Sequence, residues 1–81
     1  MKRVLIVEDE VAIREFEAIN LKRVGYETVE AGSGEEALEI FDNDPIGFDI
    51  ALLDVMMPGM DGLRAKMKMS ENYNTTIIPL P

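Results

Sequence analysis

With 81 residues, 47 % of them hydrophobic and 30 % charged, the chain is long enough for one small folded unit and too apolar for disorder. It has no cysteine, which excludes disulfide staples and thiolate metal sites, and its net charge of −8 disfavours direct contact with nucleic acid. The opening MKRVLIVEDE carries too short an apolar run for a secretory signal or for a membrane span of about 20 residues, so a soluble, cytoplasmic protein is expected.

The first element is Val4 to Val7, an aliphatic run without alternation, as expected of a strand buried on both faces of a parallel sheet. Glu8-Asp9-Glu10 breaks it. From Val11 to Val24 the positions Ile13, Phe16, Leu21 and Val24 suggest the inner face of a helix, which Gly25 stops. Glu27 to Ala31 reads as a weaker strand around Thr28 and Val29. Ser33-Gly34-Glu35-Glu36 has the capping-box spacing, and Ala37, Leu38 and Phe41 give the helix that follows an inner face. Asn43-Asp44-Pro45 ends that helix.

Ile50 to Leu53 is a second fully apolar strand, and it ends in Asp54. Pro58-Gly59 marks a turn, after which Asp61-Gly62 opens a third helix carrying Leu63, Ala65, Met67 and Met69. Thr75 to Leu80 reads as a fourth strand. The order β-α-β-α-β-α-β implies an α/β fold with helices on both faces of a parallel sheet, in one domain spanning residues 1–81.

In open parallel sheets the crevice for chemistry lies beyond the carboxyl ends of the strands. Both strongly apolar strands end in acid there, one in Glu8-Asp9 and the other in Asp54. If the two strands are neighbours, three carboxylates converge, and their repulsion calls for a raised pKa or a cation. A hard divalent ion such as Mg²⁺ takes carboxylates and water and leaves room for a phosphoryl oxygen. Asp54 is then both ligand and potential nucleophile, and the turn that follows could aim the backbone carbonyl of Met56 at the metal. Taken singly, the acids after the first strand could serve a helix N-terminus, Asp61 a helix cap, and Met56 and Met57 loop filling. The coincidence of all of these at strand ends favours a site.

VLIVEDE followed by LLDVMMPGMDG resembles the receiver domain of bacterial two-component response regulators, of the type that precedes a winged-helix DNA-binding domain. The resemblance implies a partial flavodoxin-like fold and a phosphoacceptor at Asp54. It also implies Mg²⁺ held by Asp9, Asp54 and the Met56 carbonyl, with Glu8 acting through water. The implied donor is a phosphohistidine on a sensor histidine kinase, and the implied behaviour is a timed switch rather than a conventional enzyme. The motifs depart from the family beyond residue 62 or so. Pro81 falls where the family has a phosphoryl-binding Thr or Ser, and the fifth strand with its lysine and the last two helices have no counterpart. Apolar faces of the first, third and fourth strands are therefore expected to be uncovered, favouring a homo-oligomer or swapped dimer. The alternative is a receiver-like fragment that folds through self-association without signalling chemistry. A haloacid-dehalogenase-like site would want a second Asp where Met56 stands, and Gly32-x-Gly34 is no nucleotide-binding fingerprint.

Overall fold

The computed structural model describes residues 2–54, 61–72 and 74–80, with backbone alone at 61 and 62. Its elements run β1 (Arg3–Val7), α1 (Val11–Arg23), β2 (Glu27–Ala31), α2 (Gly34–Asn43), β3 (Ile50–Asp54), α3 (Asp61–Met69) and β4 (Thr76–Leu80). All pairings are parallel, in the order β2-β1-β3-β4, so the two acid-ended strands are neighbours. This is the β-α-β-α-β-α-β part of a receiver fold, as the sequence predicts.

Strand alternation sorts the core into two layers. Leu5 and Val7 of β1 and Ala51 and Leu53 of β3 point to one face, where they pack with Ala37, Phe48, Ala65 and Met69 beneath α2 and α3. Val4 and Ile6 point to the other, against Ala18, Leu21 and Tyr26 of the α1 region, with Ile50 and Leu52 alongside. Burial on both faces is why β1 reads as an unbroken aliphatic run.

Two helix ends show how local chemistry fixes the path. The Glu36 N–H donates to Ser33 Oγ, and Glu36 Oε1 accepts from the N–H of Gly32, so the capping box forms with its return bond one residue before the cap. After α1 the Tyr26 N–H donates to the Leu21 carbonyl and the Gly25 N–H to that of Lys22, with Gly25 at φ +100°. That pairing closes a helix through a left-handed residue, which glycine adopts without a Cβ clash.

The inner face expected for α1 is corrected by the structure. Leu21 packs on the sheet, but Phe16 is 68 % exposed, Val24 70 % and Ile13 45 %. Ala18 and Leu21 face the sheet, flanked by the half-buried Arg14 and Glu17, so two charged residues occupy positions that pattern reading assigns to the outside. In α3, Ala65 and Met69 are fully buried as expected, whereas Leu63 and Met67 point outward. The uncovering of the sheet is also narrower than expected. Beneath α1, Val4 and Ile6 are fully buried and Ile50 and Leu52 half-buried, while Ile78 of β4 is the exposed large apolar side chain among the described strand residues.

Opposite the carboxyl ends of the strands, Arg3 fastens the sheet to its connections. Its Nε donates to Glu27, its terminal nitrogens donate to Asp44 and to the Gly47 carbonyl, and its guanidinium lies 4.7 Å from the Phe48 ring centre. Asp44 also accepts from the N–H groups of Ile46 and Gly47. These bonds hold the Asp44 carboxyl down at about 2, with Arg3 the main cause. Thr75, immediately before β4, has a buried hydroxyl that donates to the Phe48 carbonyl at 2.6 Å.

Candidate metal centre

The register of β1 against β3 sets Val7 beside Leu53, so the chain leaving β1 as Glu8-Asp9 passes the end of β3 at Asp54. The Glu8 N–H still donates to the Ala31 carbonyl, extending the β1–β2 ladder by one step and fixing the Glu8 backbone. Arg14 reaches back from α1 to donate to the Glu8 carbonyl at 2.8 Å and to Glu30 at 3.2 Å. Backbone pairing on one side and an arginine tether on the other therefore position the acids.

Carboxylate oxygens of Glu8, Asp9 and Asp54 lie within 4.8 Å of one another. Glu8 is buried, Asp54 half-buried and Asp9 exposed, which gives the cluster a closed floor and an open mouth. Burial pushes the Glu8 carboxyl above the usual glutamate value, and hydrogen bonding with Asp9 and Asp54 and the charge of Asp54 push it further. The Glu10 N–H, donating to Glu8 Oε2 at 3.0 Å, opposes the shift. Among the described residues no arginine or lysine forms an ion pair with Glu8 or Asp9; the pairs of Arg3 and Arg14 go to Glu27, Asp44 and Glu30.

These features fit a divalent cation on chemical grounds. The donor set is all oxygen, it carries excess negative charge, and one member is already driven towards its proton-bound form, by burial first and then by its acidic neighbours. A small hard ion bound by carboxylates and water, such as Mg²⁺, matches a mouth that remains open on one side.

Sequence reasoning thus identifies Glu8, Asp9 and Asp54, and the fold brings all three together. Met56 and the Pro58-Gly59 turn lie outside the described residues, as do the side chain of Asp61 and all of Pro81. One neighbour was not foreseen. Glu17 lies half-buried on α1, its Oε1 has no hydrogen-bond partner, and burial followed by the charge of Asp54 pushes its carboxyl above the usual value. The available signal was its position one residue before Ala18 and four before Leu21, on the flank of the face that packs on the sheet.

Comparison with known proteins agrees with this arrangement. A family profile described as response regulator receiver domain matches residues 4–80. A probable transcriptional regulator, ycf27, of Cyanophora paradoxa is 39 % identical over 79 residues, covering 98 % of this chain and 32 % of its own length. The ycf27 protein of Guillardia theta is 38 % identical over 79 residues. The chain thus spans about a third of the length of these curated relatives. Among solved structures, the response regulator TrrA of Thermotoga maritima in complex with Mg²⁺-BeF superposes with a TM-score of 0.87 at 39 % identity, over 98 % of this chain and 68 % of that one. TrrA in complex with the histidine kinase ThkA gives a TM-score of 0.82 at 38 % identity, over 98 % and 67 %.

Proposed function

The chain belongs to the response regulator receiver family, and from that premise we propose that it is a phosphoacceptor of a two-component system, phosphorylated on Asp54 by a sensor histidine kinase. The observation that carries this reading is the convergence of the Glu8, Asp9 and Asp54 carboxylates beyond neighbouring strands. The Mg²⁺-BeF complex and the histidine-kinase complex of TrrA supply the analogy for cofactor and donor.

In this reading Asp9, Asp54 and the Met56 carbonyl would hold Mg²⁺, with Glu8 acting through water. The bound ion supplies charge neutralisation for the incoming phosphoryl group. Asp54 does the chemistry of this chain. One of its carboxylate oxygens attacks phosphorus in line with the nitrogen of a phosphohistidine, and the P–N bond breaks with its electron pair on the imidazole. An acyl phosphate results. Positioning accounts for most of the rate in such transfers, and here it comes from the β3 backbone that fixes Asp54 and the β1 exit that fixes its neighbours. The chain is not a conventional enzyme in this proposal, and its working place is the cytoplasm. Any effector that follows the receiver in longer relatives would make the DNA contact, which a chain of net charge −8 does not favour.

Intact-mass spectrometry after incubation with acetyl phosphate tests the proposal, with and without Mg²⁺ and with Asp54→Asn in parallel. A Mg²⁺-dependent phosphoryl adduct on the parent and none on the variant is the expected result. An adduct of equal yield on the variant, or none on the parent at saturating Mg²⁺, would overturn it.

A further inference from the structure

α2 and α3 lie side by side on one face of the sheet, and each carries a charged stripe of opposite sign. On α2, Glu35, Glu39 and Asp42 are all exposed, and their spacing of four and then three residues puts them on one line along the helix. On α3, Arg64 and Lys68 are exposed one turn apart. Neither forms an ion pair among the described residues, although Glu35 and Arg64 border the same depression of about 310 Å³, which Leu38 also lines. Beside it Met67, 68 % exposed, lines a second hollow of about 490 Å³ that Arg64 and Lys68 also border. Leu63 adds further open apolar surface, at 58 % exposure.

The geometry points to this face as a self-complementary docking surface for a second copy of the chain. A two-fold axis running along the groove between α2 and α3 places α2 of each copy over α3 of the other. Each acidic stripe then meets a basic stripe of matching pitch, twice per dimer, and Met67 and Leu63 are covered between them. Charge complementarity selects a second copy as the occupant, since the molecule already carries both halves of the match. The open edge of the sheet offers a poorer route. The Thr76 N–H donates inward to the Asp49 carbonyl, so alternation sets the backbone N–H positions of residues 77 and 79 at the open edge, and Pro79 has no N–H to give an added strand. Two short helices per copy present an area near the lower end for specific interfaces, about 1,200 Å² in total, so the dimer is weak and reversible.

Sedimentation velocity across protein concentration, at low and high salt, reads the association directly. The expected result is a dimer at low salt that weakens at least about tenfold in about 0.5 M salt, where screening is strong. Arg64→Glu with Lys68→Glu should give a monomer, as should Glu35→Lys with Glu39→Lys, and an equimolar mixture of the two variants should restore the dimer. The unaltered protein provides a second readout. Carbodiimide treatment of mixed light and heavy-isotope copies should give Lys68–Glu35 or Lys68–Glu39 cross-links containing one copy of each. A chain that stays monomeric throughout, with cross-links only within a copy, would mean the stripes serve each other internally and would overturn the proposal. So would a dimer that survives in both charge-reversed variants, which would place the contact on the open sheet face or with another occupant.

Discussion

Replacing Asp54 by Asn should make the metal-free protein more stable, although it removes the proposed phosphoacceptor. Three carboxylates with oxygens within 4.8 Å of one another repel in the folded state and separate in the unfolded chain. At that distance two unit charges repel by about 1 kcal/mol in bulk water and about 3.5 kcal/mol at an effective dielectric of 20. Asp9 is exposed, which screens its share, and Glu8 relieves part of the strain by holding its proton more tightly. A gain of about 1–2 kcal/mol follows for Asp54→Asn, worth about 4–8 °C of melting temperature per kcal/mol in a domain of this size. The assay is thermal unfolding by circular dichroism at neutral pH in a chelator, repeated with excess Mg²⁺. With metal the order should narrow or reverse, because an ion at 100 times its dissociation constant stabilises the parent by about 2.7 kcal/mol and the variant has lost a ligand. The pH dependence has a definite sign. Because the folded Glu8 carboxyl titrates above its usual 4.5, the penalty is absent below that value and grows as pH rises through the folded pKa. The advantage of the variant should therefore shrink as the pH is lowered towards 4.5. An Asn variant that melts at or below the parent in chelator would refute the reasoning.

The Arg3–Asp44 pair has the opposite sign: a carboxyl held at about 2 stabilises the fold fully above its ordinary 3.8 and loses that contribution as pH falls towards 2. Urea titrations of the parent and Asp44→Asn should accordingly differ at pH 6 and converge in that acid window. Ser33→Ala removes the acceptor for the Glu36 N–H and should cost about 1 kcal/mol, seen as a lower urea midpoint, whereas Ser33→Asp should retain most of it. Leu5→Ala empties a fully buried position beneath α2 and α3 and should cost about 2–5 kcal/mol, enough to leave much of so small a domain unfolded by near-ultraviolet circular dichroism.

The parts of this structure that could be read from the residues are those governed by local or nearly local rules. VLIV and IALL are uninterrupted because β1 lies between two layers of helices and β3 beside it, and their shared direction brings Glu8, Asp9 and Asp54 to one edge. Ser33 and Glu36 announce the start of α2 through a spacing of three. What could not be read depends on long side chains or distant partners. Arg14 lies on the sheet-facing side of α1 because Glu30 and the Glu8 carbonyl await it there, and with Glu17 it displaces Phe16 and Ile13 from the inner face. Arg3 looks like a polar residue leading into a strand, yet its partners Glu27 and Asp44 lie 24 and 41 residues away. Nothing in the local pattern at either end of those contacts reveals them.

The placement of the Arg3 clamp has a consequence for how such a sequence can change over time. Its bonds to Glu27, Asp44 and Gly47 secure two connections at one rim of the sheet, while the acids of the candidate site occupy the other rim. Neutral substitution of Asp54 leaves those fastenings intact, and by the repulsion argument it leaves the fold firmer. Loss of the proposed phosphoacceptor therefore meets little structural resistance in a descendant of this chain, whereas loss of Arg3 meets a great deal. Drift at the acidic rim would pass through stable, inactive forms, and those forms would be free to take up work that uses the scaffold alone.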